Sequence, residues 1–215
     1  MKISIDSREI TTLNTHKKDV IKNDIPVEIF DMDMQRRIIY WVKDNLFGKA
    51  MNILKKRWSS ILRDRGIADL PTGDSDYAAL LLTQPEFSQV PEVSQSIVSV
   101  DDVDLFTIPA DMKKIISYYY NKVNPDQYIA QQIVWLMNHK YERCMERVRL
   151  EWEPKLKAEG VKTVKSDNTE FYDGIKARPD CKDRSDRERE DPKGEEFIAS
   201  QLDQATKLLN RLKNQ

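Results

Sequence analysis

Two stretches of the chain place apolar residues three and four apart, the spacing that gathers them on one side of an α-helix. The first carries Met34, Ile38, Val42, Leu46, Met51, Leu54, Trp58, Ile61 and Leu62. The second carries Ile129, Ile133, Leu136, Tyr141, Met145, Val148, Trp152 and Leu156. Each predicts a helix of about 30 residues, or about 45 Å. Asn124 and Pro125 supply an N-cap and a first-turn proline for the second helix. Both stretches run into a glycine, Gly66 and Gly160. A glycine just past a helix end adopts positive φ without a Cβ penalty. Leu62 with Ile67, and Leu156 with Val161, then hold the positions whose apolar contact accompanies a Schellman cap.

A shorter helix is predicted after each stop. Asp74 or Thr72 would cap the first, and Asn168 or Ser166 the second. The first carries Tyr77, Ala78, Leu80 and Leu81, and the pair stop near Gln84-Pro85 and Arg178-Pro179. Upstream of each long helix, apolar and polar residues alternate at Ile3 and Ile5 and at Val98 and Val100, a short strand signal. An Asp-rich turn and an Ile-Pro follow each time, at Ile25-Pro26 and at Ile108-Pro109.

The similarity of the two halves extends to rare residues. Trp41 and Trp58 overlie Trp135 and Trp152 at a shift of 94. At that shift "IYWVKDNLFGKAMNILKKRWSSILRDRG" meets "IVWLMNHKYERCMERVRLEWEPKLKAEG" without a gap. Met51 meets Met145, Leu62 meets Leu156, Gly66 meets Gly160, and Tyr77 meets Phe171. "ISIDSREI" resembles "VSVDDVDL" at nearly the same shift. These matches predict two homologous modules in tandem, 1–94 and 95–190. Their expected packing residues are Trp41, Trp58, Leu62 and Gly66, with Trp135, Trp152, Leu156 and Gly160. The segment "PADMKKIISYYYNKV" reads as an extra helix near 110–121 that the first module lacks. The expected class is mainly α with short β-strands, α+β, closed by a C-terminal helix.

Beyond Pro179 the composition turns almost wholly charged, in "DCKDRSDREREDPKGEE", as in a solvated linker or an extended helix. Asp191 and Pro192 suit an N-cap and first turn. Over 191–215 the residues Ile198, Leu202, Ala205, Leu209 and Leu212 stand at spacings of 4, 3, 4 and 3, an a/d stripe. This helix either docks on its own chain or pairs with a partner helix.

Charge and cysteine content narrow the function classes. A net charge of −1 over 215 residues excludes polyanion binding by bulk charge, so nucleic acid would need a local basic face. Lys55, Lys56, Arg57, Arg63 and Arg65 form the candidate, within a stretch 49–65 that also holds Lys49. Basic residues near a helix C-terminus also complement the macrodipole. The matched positions of the second half keep Trp, Leu and Gly but only part of the charge. Two cysteines without metal-ligand spacing suggest a reducing compartment, and no apolar run reaches membrane-span length. The expectation is a cytoplasmic protein that makes no membrane contact.

Catalysis finds little in the residues. His16 and His139 are the only histidines and have no metal-binding spacing. No phosphate loop, nucleophile elbow or zincin signature occurs. No cofactor or metal is expected, and the chain reads as a non-enzyme.

The texture of "LPTGDSDYAALLLTQPEF" followed by "ARPDCKDRSDRE" resembles uncharacterised bacteriophage proteins of the structural and assembly genes. That resemblance implies a virion component or assembly factor in the host cytoplasm or the virion. It would act through protein–protein contacts, in a homo-oligomer or larger assembly, and it assigns no functional residue. The alternative is a DNA-binding assembly factor that uses the basic helix end at 49–65.

Overall fold

The computed structural model describes residues 1–23, 25, 27–178, 181 and 192–213; for residues 27, 192–199, 201 and 213 it describes the backbone alone. The expected linker at 182–190, Pro26, Pro179 and the Asp191 cap lie outside the described residues, as does the Ile198 side chain. The chain is 65% helical with a four-stranded antiparallel sheet, an α+β fold.

In chain order the elements are β1 (Lys2–Ile5), β2 (Arg8–Thr12), α1 (Thr15–Lys22), a 3-10 turn (Val27–Ile29) and α2 (Phe30–Tyr40). A π-helical segment (Trp41–Gly48) leads into α3 (Lys49–Asp64), then α4 (Asp74–Leu82) and a 3-10 turn (Pro85–Phe87). There follow β3 (Ser96–Val100), β4 (Val103–Ile108), α5 (Ala110–Tyr120), α6 (Pro125–Ala158), α7 (Asn168–Lys176) and α8 (Pro192–Lys213). Two compact units result, one from Met1, Thr12–Arg36 and Trp135–Gln215, the other from Lys2–Thr11 and Arg37–Val134.

The sheet, in the second of these units, has the order β2-β1-β3-β4. Each expected strand is in fact a hairpin. Asp6-Ser7 and Asp101-Asp102 make the two turns, with φ of 48° and 64° in the first and 48° and 65° in the second. Two successive positive φ values are the type I′ geometry that matches strand twist. Strands β1 and β3 join the hairpins, pairing Ile3 with Val100, Ser4 with Ser99 and Ile5 with Val98. Under a shift of 95, Ser99 is the counterpart of Ser4, so the two hairpins meet as a self-complementary pair. The flanking bonds are exchanged in the same way. Asp6 Oδ1 accepts from Ile97 N at 2.8 Å, and Asp101 Oδ1 accepts from Lys2 N at 2.7 Å. Asp6 N donates to Ile97 O at 2.9 Å, and Asp101 N donates to Lys2 O at 2.8 Å.

Helix α5 is present where expected, and a helix also follows the first hairpin. Helix α1 holds the same place in the first half, beginning at Thr15 where α5 begins at Ala110. The Ile-Pro match obscured this. The counterpart of Ile108-Pro109 is Leu13-Asn14, and Pro109 and Asn14 both precede the first helical turn.

Both long helices form. Asn124 caps α6 as expected, its Oδ1 accepting from Gln127 N at 3.0 Å. Phe30 to Asp64 is one helical run whose middle is π-wound. Both stops are Schellman motifs. Gly66 and Gly160 each have φ of +87°. Ile67 N donates to Leu62 O at 3.1 Å and Val161 N to Leu156 O at 3.0 Å.

The buried positions show how the two runs correspond. Met34, Ile38 and Val42 are buried, as are Ile129, Ile133 and Met137, a shift of 95. Ala50, Met51, Leu54 and Trp58 are buried, as are Cys144, Met145, Val148 and Trp152, a shift of 94. The first run therefore holds one extra residue between Val42 and Ala50, inside the π segment. A π turn takes up one residue without turning the helix face that follows it. The tryptophan match at Trp41 and Trp135 falls on the wrong side of this step. Trp135 is 47% exposed and answers to Tyr40, 53% exposed, while Trp41 is half-buried. Trp135 is therefore not a core residue, and Leu156 is only half-buried where Leu62 is fully buried.

Candidate functional site

The joint between each long helix and the short helix after it is built in the same way in each half, once in each unit. In the first, Lys55 Nζ donates to Thr72 O at 2.6 Å, pairs with Asp74 at 2.5 Å and lies 5.5 Å from the centre of the Tyr77 ring. In the second, Arg149 donates to Ser166 O at 2.8 Å and to Asn168 Oδ1 at 2.9 Å, and lies 4.3 Å from the Phe171 ring. Every partner corresponds at a shift of 94. A cation over an aromatic face, tied to a carbonyl, fixes the angle at which the short helix leaves the stop.

The expected caps are corrected by this use. Asp74 and Asn168 are occupied by Lys55 and Arg149, so the cap positions fall one residue earlier, at Gly73 and Asp167. Asp167 Oδ1 accepts from Glu170 N at 2.9 Å, while Gly73 offers no side chain.

Arg65 is also committed. It donates to Gln84 Oε1 at 2.9 Å, forms a bidentate pair with Glu86, and lies 5.6 Å from the Trp58 ring. That pairing raises the Arg65 pKa and lowers that of Glu86. At the matched joint the charges are reversed: Glu159 accepts from Arg178 at 2.6 Å, and Arg178 lies 5.8 Å from the Trp152 ring. Trp58 stands against Phe87, which stacks on Tyr118 at 4.0 Å. The Trp58 Nε1 is buried without an acceptor among the described residues, so the ring is there for its packing.

The five basic residues of the candidate nucleic-acid set differ in their surroundings. Lys55, half-buried, and Arg65, exposed, are both paired at the joints, whereas Lys56, Arg57 and Arg63 are exposed and have no such pairing among the described residues. Lys49 is exposed as well.

Two residues of the α8 stripe are covered by its own chain. Ala205 and Leu209 are buried, the helix packs on the Val27–Ile29 turn, and Thr206 Oγ1 donates to Met32 Sδ at 3.5 Å. Leu202 is exposed and Leu212 half-buried.

One buried polar group was not legible in the sequence. Lys113 is 1% exposed, and its Nζ donates to Ser94 O at 2.8 Å, Ser96 Oγ at 2.7 Å and Asp126 Oδ2 at 2.8 Å. These three partners account for all three donors of the side chain. The cluster ties β3, α5 and the start of α6 together. Asp126 also borders a groove of about 840 Å³ along β2, with Asp6, Arg8, Glu9 and Gln131. This groove holds no histidine or cysteine. Among the described residues no group of three or more His, Cys, Asp or Glu is placed to hold a metal ion, and no helix is long and apolar enough to cross a membrane.

No protein-family model matches the chain, and neither does any curated protein or solved structure.

Proposed function

We propose that the chain is a non-enzymatic structural or assembly protein, built from two copies of one module, that works through protein–protein contacts. The observation that carries this reading is the recurrence of burial. From Lys49 to Ser60 and from Arg143 to Pro154, the order of buried, half-buried and exposed positions is the same, residue by residue. The hairpin turns, the glycine stops and the cation-over-ring joints recur with it. What the halves share, among the described residues, is packing.

Common descent of the modules accounts for these matches, with a shift of 95 up to the π segment and 94 beyond it. A chain that uses one packing module twice suits a ring or lattice, in which one protein meets its neighbours in related ways. The resemblance to bacteriophage structural and assembly proteins points the same way, toward a virion component. Native mass spectrometry of the full chain across a concentration series tests the reading. Discrete homo-oligomers are expected, and a chain that stays monomeric up to its solubility limit would contradict it.

A further inference from the structure

We propose that the outer ridge of α3 is a docking surface for the phosphate backbone of duplex DNA, carried by Lys49, Lys56 and Arg63 with Arg57 beside them. This goes beyond the assembly reading and does not depend on it. The three ridge residues are seven apart, so they stand on one line of the helix, about 10.5 Å from one to the next. All four basic side chains are exposed, and none has a hydrogen-bond or ion-pair partner among the described residues. Asn52, Ile53 and Ser60 lie between them on the same exposed face; Asn52 and Ser60 are short polar groups able to donate to phosphate oxygens, and Ile53 is an exposed apolar one. Asp64 is the one acidic residue there, at the edge.

The second half supplies an internal comparison. The counterparts of Lys49, Lys56 and Arg63 are Arg143, Leu150 and Lys157, those of Asn52 and Arg57 are Glu146 and Glu151, and that of Ile53 is Arg147. The same exposed positions thus carry an interrupted, mixed face in one half and a nearly unopposed cationic line in the other. Packing does not require that line, because the matched helix folds without it. Charge complementarity selects a polyanion. The ridge carries no aromatic ring on which an unpaired base could stack, so it suits a duplex backbone better than a single strand. Its length of about 21 Å spans about six base-pair rises of about 3.4 Å.

The test is fluorescence anisotropy of a labelled 20-base-pair duplex with the full-length chain, titrated over a range of salt concentrations. The wild type is expected to bind at low salt, with log K falling linearly against log salt. The triple variant K49Q/K56Q/R63Q should bind at least tenfold more weakly, with the slope reduced by about 2.7, near 0.9 for each phosphate that is no longer neutralised. The variant R143Q/K157Q should leave affinity and slope unchanged. Circular dichroism of both variants, and the single variant K56Q with a slope change of about 0.9, guard against a loss that comes from misfolding. Absence of binding by the wild type at low salt overturns the proposal. So does an equal loss in R143Q/K157Q, and so does competition by poly-glutamate as effective as by unlabelled duplex.

Discussion

The helical run from Phe30 to Asp64 and helix α6 bury matching positions, yet they differ by one residue in length and in what they show to solvent. Before the π segment the correspondence is 95 and after it 94, so the extra residue is absorbed locally. An insertion in a plain α-helix would rotate every later residue by about 100° and carry a buried stripe out of the core. The π turn confines that rotation to a few residues. It also leaves backbone carbonyls poorly used, and the Tyr120 hydroxyl approaches two of them, Asn45 O at 3.4 Å and Leu46 O at 3.3 Å. From Lys49 to Ser60 and from Arg143 to Pro154 the burial pattern is thus the same, while the outward residues differ.

The largest expected effects lie at the tryptophans. Trp58→Ala and Trp152→Ala should each destabilise by about 3–5 kcal/mol, the usual cost of emptying a large aromatic site. Trp135→Ala should stay within about 0.5 kcal/mol, as exposed substitutions do. Urea unfolding of the three variants checks this, and a Trp135→Ala cost near that of Trp58→Ala would restore the gapless correspondence at 94. Next come the helix stops. Gly66→Ala and Gly160→Ala should each cost about 1–2 kcal/mol, because both residues hold a left-handed backbone. A Cβ would meet nothing within 4 Å at either position, so the two costs should be equal and purely conformational. Unequal melting shifts would separate the two joints.

The smallest effect is a pH dependence. Burial, together with neighbouring Tyr128 and Tyr119, pushes the Tyr120 hydroxyl from 10.0 up to about 12. The folded state thus favours the neutral phenol. Its contribution is present below about pH 10 and is lost as pH rises toward about 12. Tyr120→Phe should flatten stability against pH across that window. Tyr128 and Tyr141, also raised by burial, should keep part of the slope. An unchanged slope in the variant would show that Tyr120 is not the group responsible.

Much of the scaffold was legible because it rests on rare or directional residues. Trp58 with Trp152, the two glycine stops and the Asn124-Pro125 start each have one dominant physical use. The π segment was not legible, since its one-residue excess looks like ordinary sequence and a gapless shift still aligns four tryptophans. Helix α1 was missed because it is short and largely polar, with only Val20 and Ile21 buried. The Asp74 and Asn168 caps were misplaced because a side chain that can cap can also receive a cation. The basic run looked like one group until Lys55 and Arg65 were drawn into the joints. What divided it was tertiary geometry, which linear spacing does not record.

The central claim is that the first long helix is the second with one residue added inside the π segment. Urea unfolding of two single-residue deletions tests it most directly. Removing Asp44, in the π segment, should restore the α spacing of α6 between Val42 and Ala50 and change stability by no more than about 1 kcal/mol. Removing its counterpart His139, in α6, should swing Cys144, Met145, Val148 and Trp152 out of the core and cost more than about 4 kcal/mol. Equal damage from the two deletions would contradict the claim.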